Sequence, residues 1–215
     1  MSSANVFSSS VVGLTKTRIE GLANGIFAFA MPLLILMLSP PSLDTAELPG
    51  ALQASWTKYL SYVATFVMLG VYWINHHNQF HFIKRSDRLF LWINLLFLMS
   101  VAFVPFTSGL LGTYGEQHIV VIIYGLHMAL IWMMLYLNWW YATHDLHLVD
   151  HDLDPTIIKH ITRRTLMGPA LFIVAVGLSF FSLTAAVVIY LLVPIVYVVP
   201  GGFDKYWKVT QAKNG

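Results

Sequence analysis

KTRIEGLANGIFAFAMPLLILML, residues Lys16 to Leu38, is the stretch that decides the fold. From Gly21 to Leu38 it carries no formal charge, close to the roughly 20 apolar residues that a helix needs to cross a hydrocarbon layer about 30 Å thick. Comparable apolar runs follow, from Trp56 to Asn75, Leu89 to Leu110, Ile119 to Tyr141, Leu166 to Phe181 and Leu183 to Val199, with the first run counted from Leu22 to Leu38. The whole chain is 57% hydrophobic and 10% charged, with a mean hydropathy of +0.68. A globular domain carries about 25% charged residues, so these numbers predict an all-α polytopic membrane protein with six transmembrane helices in one domain.

The basic residues orient that domain. With six crossings, Lys16, Arg18, Lys84, Arg85, Arg88, Lys159, Arg163, Arg164, Lys205, Lys208 and Lys213 share one side, and only Lys58 lies opposite, among Asp44, Glu47 and Glu116. Lys and Arg collect on the cytoplasmic face, so both termini are expected inside, in a multi-pass protein of the inner (plasma) membrane. Trp56 and Tyr59 at one interface, and Trp139, Trp140 and Tyr141 at the other, fit aromatic anchors. The expected division is a polar N-terminal tail over residues 1–17, the six-helix domain over 18–203 and a cytoplasmic C-terminal tail over 204–215. A secretory signal is the rival reading of the first run, but that run is too long and ends without a small-x-small cleavage site. Cysteine is absent, which excludes disulfides, thiolate nucleophiles and sulfur-ligated metal sites. A net charge of +2 with scattered bases excludes nucleic acid as a partner; the bilayer is the expected one.

Within the first run, Phe29, Leu33 and Leu36 recur at spacings of four and three, which puts three bulky side chains on one helical face. Gly21 and Gly25 form a small-xxx-small pair near the inner end, where a second helix can approach closely. Pro32 has no N–H to give the carbonyl of Ala28, and lipid cannot satisfy that carbonyl, so this turn is expected to face protein or water. Periodicity alone fits a lipid-facing or packing stripe as well as a pore.

Thr15 to Leu38, together with YWINHHNQF (Tyr72 to Phe80) and LWINLLFLMSVAFVPF (Leu91 to Phe106), resembles the bacterial members of the transmembrane protein 175 potassium-channel family. The resemblance implies a passive monovalent cation channel: a homotetramer of six-span subunits, its pore lined by the first helix, with potassium as permeant ion and no cofactor. It assigns Phe29, Leu33 and Leu36 to the constriction, and Arg18, Asn24 and His76 to positions that hold the first helices together. The family's phenylalanine-serine-aspartate signature is occupied by Leu22, Ala23 and Asn24, so the ion pair of the acid with the inner-end arginine cannot form. Pro32 stands where bacterial members carry a threonine tied to potassium preference. Apolar rings gate by excluding water, and a ring of phenylalanine is bulkier than the isoleucine or leucine usual in the family, which implies low basal conductance.

Nine histidines support a different class of function. His76, His77, His81, His144, His147, His151 and His160 fall on the inner side, some at spacings of three or four, which suits a histidine-liganded membrane metalloenzyme of the di-iron type. The histidine-x-x-histidine-histidine boxes of such enzymes are missing, and hydrogen-bonding imidazoles are the plainer account. A non-conducting membrane scaffold is the third reading. His127, nearest a bilayer centre, is expected to make an inter-helix hydrogen bond. The inner loop Thr143 to Thr162 alternates His with Asp, and GTYG (Gly112 to Gly115) is read as an outer turn and not as an ion filter.

Overall fold

The computed structural model describes residues 16–38 and 48–198. The Ser-rich start, Asp44, Glu47, Val199 and the C-terminal tail with Lys205, Lys208 and Lys213 lie outside the described residues. The chain folds as helices: α1 (Lys16–Leu33), extended by a 3-10 turn (Leu34–Met37), a short α2 (Leu48–Ala54), α3 (Trp56–Phe82), α4 (Arg88–Ala102), α5 (Val104–Tyr114), α6 (His118–Thr143), α7 (Pro155–Ser179) and α8 (Leu183–Val198). The first helix starts at Lys16, inside the stretch expected as tail.

Among the described residues, four helical segments are long and apolar enough to cross a membrane: Lys16–Met37, Arg88–Tyr114, His118–Leu146 and Pro155–Ser179. The apolar α8 is shorter. At 27 residues α3 has the length, but Asn75, His76, His77, Asn78, Gln79 and His81 on its C-terminal half keep it out of the strongly apolar group. That half continues as helix to Phe82, well past Asn75, where the sequence suggested an end.

The third apolar run is broken at Phe103, where α4 gives way to α5. Pro105 offers no N–H to the carbonyl of Val101, and α6 stitches the break. His127 Nε2 donates to the Ser100 carbonyl at 3.0 Å, which leaves Nδ1 to accept from the Thr107 hydroxyl at 2.9 Å. This imidazole therefore ties α6 to both α4 and α5. A second polar tie runs through buried hydroxyls: Ser108 donates to Thr65 at 3.0 Å, and Thr65 pairs with the Tyr124 hydroxyl at 3.1 Å. In a low-dielectric core such groups persist because each has a partner.

Helix α6 is the hub, packed on α4, α5, α7 and α8. Trp132 on α6 is fully buried, edge-on to Tyr72 of α3 (5.1 Å between ring centroids) and stacked on Tyr197 of α8 (4.5 Å). Two close approaches need glycine. A Cβ on Gly168 of α7 would enter the face of the Trp132 indole, and one on Gly125 of α6 would meet the Tyr190 hydroxyl. Arg164, one of the inner-side cations, donates to the carbonyl of Tyr197 at 2.9 Å and lies 5.6 Å from that residue's ring centre. A cation at a helix C-terminus satisfies orphan carbonyls and complements the dipole.

At the end where α1 begins, a smaller core of Ile19, Phe80, Ile83, Phe90, Ala142, Leu148 and Val149 closes the bundle. The polar loop expected over Thr143 to Thr162 ends sooner, because Asp154 caps α7 by accepting from the Thr156 N–H at 2.7 Å and Pro155 occupies the first turn. Asp145 and Leu146 adopt left-handed backbone, with φ of 51° and 53°. Two such residues in succession turn the chain back, and the Leu148 carbonyl then accepts from the Lys84 N–H at 2.8 Å, beside the bridge of Ile83 to Val149. GTYG is corrected as well: Gly112 to Tyr114 form the last turn of α5, and only Gly115 lies past its end.

Candidate pore-lining surface

Ile19, Ala23, Phe27, Ala30 and Leu34 of the first helix are all buried. Their spacings of four, four, three and four trace one face, and that face packs on α3 and α4. Everything bulky on the opposite side is uncovered. Phe29 is 74% exposed, Leu36 64% and Leu33 42%, and Gly21, Gly25, Ala28 and Pro32 share the uncovered side. A Cβ on Gly21 or Gly25 would meet nothing within 4 Å, so this surface has room for another helix.

Beyond Pro32 the helix tightens into the 3-10 turn. In that geometry residues three apart eclipse one another, so Leu36 stacks over Leu33, where an α-helix would offset them by about 60°. The turn is held at its end by Met37, whose thioether lies against Gly109 of α5. The Ala28 carbonyl, deprived of its donor by Pro32, belongs to the same uncovered side. From Gly25 to Met37 that side offers no side-chain oxygen or nitrogen, and the polar groups, Arg18 and Asn24, sit toward the start of the helix.

The residues assigned to support the first helix have these partners within the subunit. Asn24 accepts from the Trp73 indole N–H at 2.9 Å, which links α1 to α3. His76 is buried and bonds the Asn94 side chain at 3.0 Å, not Arg18. Its ring is stacked between Phe80 (4.2 Å) and Phe97 (5.2 Å), and Phe97 in turn meets Phe27 of α1 at 6.2 Å. His76 therefore reaches the first helix through Phe97. Trp73 was missed in the sequence, although it stands inside a quoted run. A tryptophan near a span's inner end reads as an interface anchor, and nothing in one dimension aims its N–H at α1.

The remaining inner-side histidines do not converge. His77 stacks on Trp73, His144 on Trp140, and His147 Nε2 bonds Asp87 Oδ2 at 2.8 Å. Among the described residues no three of His, Asp and Glu are grouped to hold a metal ion. Asp87 is the junction of this end: Oδ1 accepts from the Phe90 N–H at 2.8 Å, capping α4, and Oδ2 also accepts from the Tyr141 hydroxyl at 2.6 Å. Desolvation on its own raises this carboxyl, but the hydrogen bonds from Tyr141, Phe90 and His147 outweigh it and hold Asp87 below its ordinary value of 3.8. A folded carboxyl with a depressed pKa contributes stability that is full above the unfolded value and is lost as pH falls through the folded one. Asn also caps helices well, so Asp87→Asn isolates the charge. The variant is expected to melt about 1–3 °C below the wild type near neutral pH, and the gap should close below about pH 4. Melting curves across that range check it, and a constant gap would assign the effect to shape alone.

Comparison with known proteins follows the same residues. Positions 18–105 match the family model described as endosomal/lysosomal potassium channel TMEM175. A potassium channel of Streptomyces collinus is 35% identical over 170 residues, spanning 77% of this chain and 82% of the relative. The chain belongs to the TMEM175 family. A potassium channel of Chamaesiphon minutus is 33% identical, over 79% of this TMEM175 chain and 87% of its own length. The crystal structure of a lysosomal potassium-selective TMEM175 homolog from the same organism superposes with a TM-score of 0.77 at 30% identity, covering 86% of this chain and 96% of that one. The TMEM175 family and these relatives are ion channels and not enzymes, which removes the metalloenzyme reading. The uncovered face of α1 lies wholly within the matched segment.

Proposed function

We propose that the chain is a passive cation channel of the potassium-conducting kind, with its pore at the meeting of four copies of α1. The observation that carries this reading is the two-sidedness of the first helix: Ile19, Ala23, Phe27, Ala30 and Leu34 anchor it in the subunit, and Phe29, Leu33 and Leu36 stand uncovered on the other side. Four symmetric copies turn each uncovered residue into a ring, and apolar rings oppose ion passage by excluding water. The relatives named as potassium channels support potassium as the permeant ion. Between Gly25 and Met37 the uncovered face offers no side-chain oxygen to replace an ion's hydration shell, so the constriction acts as a hydrophobic gate. Pro32 marks its middle and leaves the Ala28 carbonyl without its helical donor.

The proposed subunit crosses the inner membrane six times, with α3 and α8 joining the four strongly apolar segments and both termini in the cytoplasm. The sorting of Lys and Arg supports this topology. Arg18 and Asn24 sit at the inner mouth, and Asn24, through Trp73, holds the angle of α1 against α3.

Purified protein in liposomes, assayed separately for potassium, sodium and proton flux, tests the function, with oligomer mass by light scattering alongside. Potassium flux from a species of four chains is the expected result. Intact tetramers impermeable to all three ions, or a stable monomer, would sink it.

A further inference from the structure

At the end where α3 and α8 begin, these two helices and the α5–α6 turn enclose a cavity of about 590 Å³, within the range of small-molecule sites, about 300–1,000 Å³. Leu60, Leu111, Val187 and Leu191 give it an apolar wall, and three buried residues that line it carry hydroxyls: Ser61, Tyr124 and Tyr190. Two of those hydroxyls are committed. Tyr190 donates to the Val121 carbonyl at 3.0 Å, and Tyr124 pairs with Thr65 at 3.1 Å. Ser61 is different, because the Ser108 hydroxyl gives its one proton to Thr65 at 3.0 Å. Ser61 is left to donate, either to the Ser108 carbonyl at 3.4 Å or to Ser108 Oγ at 3.5 Å. Both distances lie beyond the usual O–H···O range of about 2.5–3.0 Å. Among the described residues Ser61 Oγ therefore accepts no hydrogen bond, although the residue is only 7% exposed, and a buried acceptor without a donor is destabilising.

We propose that this cavity binds an uncharged single-chain lipid with a hydroxyl headgroup. The lipid O–H donates to Ser61 Oγ, and the hydroxyls of Thr57 and Thr184, exposed residues lining the same cavity, serve a second headgroup oxygen. The first carbons of the chain cover Leu60, Leu111, Val187 and Leu191. A water molecule satisfies Ser61 but leaves the apolar wall bare, whereas a simple ester covers the wall and has no proton for Ser61. A fatty-acid anion brings a carboxylate into a cavity that Glu116 also lines, where like charges repel. A hydroxyl on an aliphatic chain meets both demands. The cavity is built from α3, α5, α6, α8 and the α5–α6 turn and takes no residue from α1, so the binding does not depend on conduction.

The full-length protein in phosphatidylcholine nanodiscs is titrated with monooleoylglycerol, with methyl oleate and with oleate, three probes that share one chain. Bound probe per chain is read by native mass spectrometry together with the melting temperature. Monooleoylglycerol is expected to bind about tenfold more tightly than methyl oleate, the size of effect that one recovered buried hydrogen bond gives. Ser61→Ala should cut that preference to about threefold or less. Because it gives up only the long contacts to Ser108, it should melt with the wild type when no probe is present. Thr143→Ala, at the far end of α6, should keep the full preference. Val188→Trp, at a cavity-lining position 46% exposed, fills the space and should exclude both uncharged probes, and it also serves if Ser61→Ala does not fold. Equal binding of monooleoylglycerol and methyl oleate overturns the proposal, as does oleate binding as tightly as monooleoylglycerol or a preference that survives Ser61→Ala. A loss of oligomer mass in Val188→Trp makes the cavity a contact between subunits and overturns it too. Since no flux is read, each of these failures leaves the channel reading to its own test.

Discussion

Phe29→Ala is expected to raise potassium flux through liposomes by about tenfold or more, the change that ~1.4 kcal/mol off a barrier produces. Phe29 is the most uncovered bulky residue of the first helix, at 74%, and its side chain takes no part in the buried face that anchors α1. Truncation should therefore change the pore and spare the fold. In the proposed tetramer four phenyl rings meet near the axis, and replacing them with methyl groups widens and wets the narrowest ring. Leu33 and Leu36, eclipsed by the 3-10 turn, remain as further rings, so the variant should pass more ions without becoming an open hole. The measurement is flux per tetramer at matched incorporation. Unchanged flux from intact tetramers removes Phe29 from the pore.

The second large effect concerns stability. Gly168→Ala places a methyl group in the indole of Trp132, which is closed in by Tyr72 on one side and Tyr197 on another. None of the three rings has open space to move into, and overpacking of this kind costs about 1–3 kcal/mol. A melting temperature lowered by about 5 °C or more is the expected result. Gly177→Ala, on the same helix with nothing within 4 Å of its added Cβ, is the matched control and should melt with the wild type. Equal melting of both variants would mean that α7 can withdraw from α6 at little cost.

The two positions differ in how far they could be read in one dimension. Phe29 was found by spacing and by resemblance, because a helix has a fixed period and its face follows from the count. Gly168 was invisible, since its constraint comes from a ring 36 positions earlier in the chain. The same holds for the supports of the first helix. Asn24 was singled out, but its partner Trp73 was not, and nothing local pairs His76 with Asn94, 18 positions on. The end of the inner loop could have been found: Asp154 followed by Pro155 is a helix start that needs only adjacent residues. The turn at Asp145 and Leu146 could not, because left-handed leucine has no local preference behind it and is held by the burial of Leu148 and Val149 beneath α3.

Apolar length and helical period are properties of consecutive residues, and they alone established an all-helical membrane protein and the two opposed faces of its first helix. Which of those faces is buried was decided by tertiary packing, as were the partners of Asn24 and His76 and the eclipsed stacking of Leu36 over Leu33. Those features depend on side chains far apart in the chain arriving at one place, and helical periodicity holds no information about which helices will be neighbours.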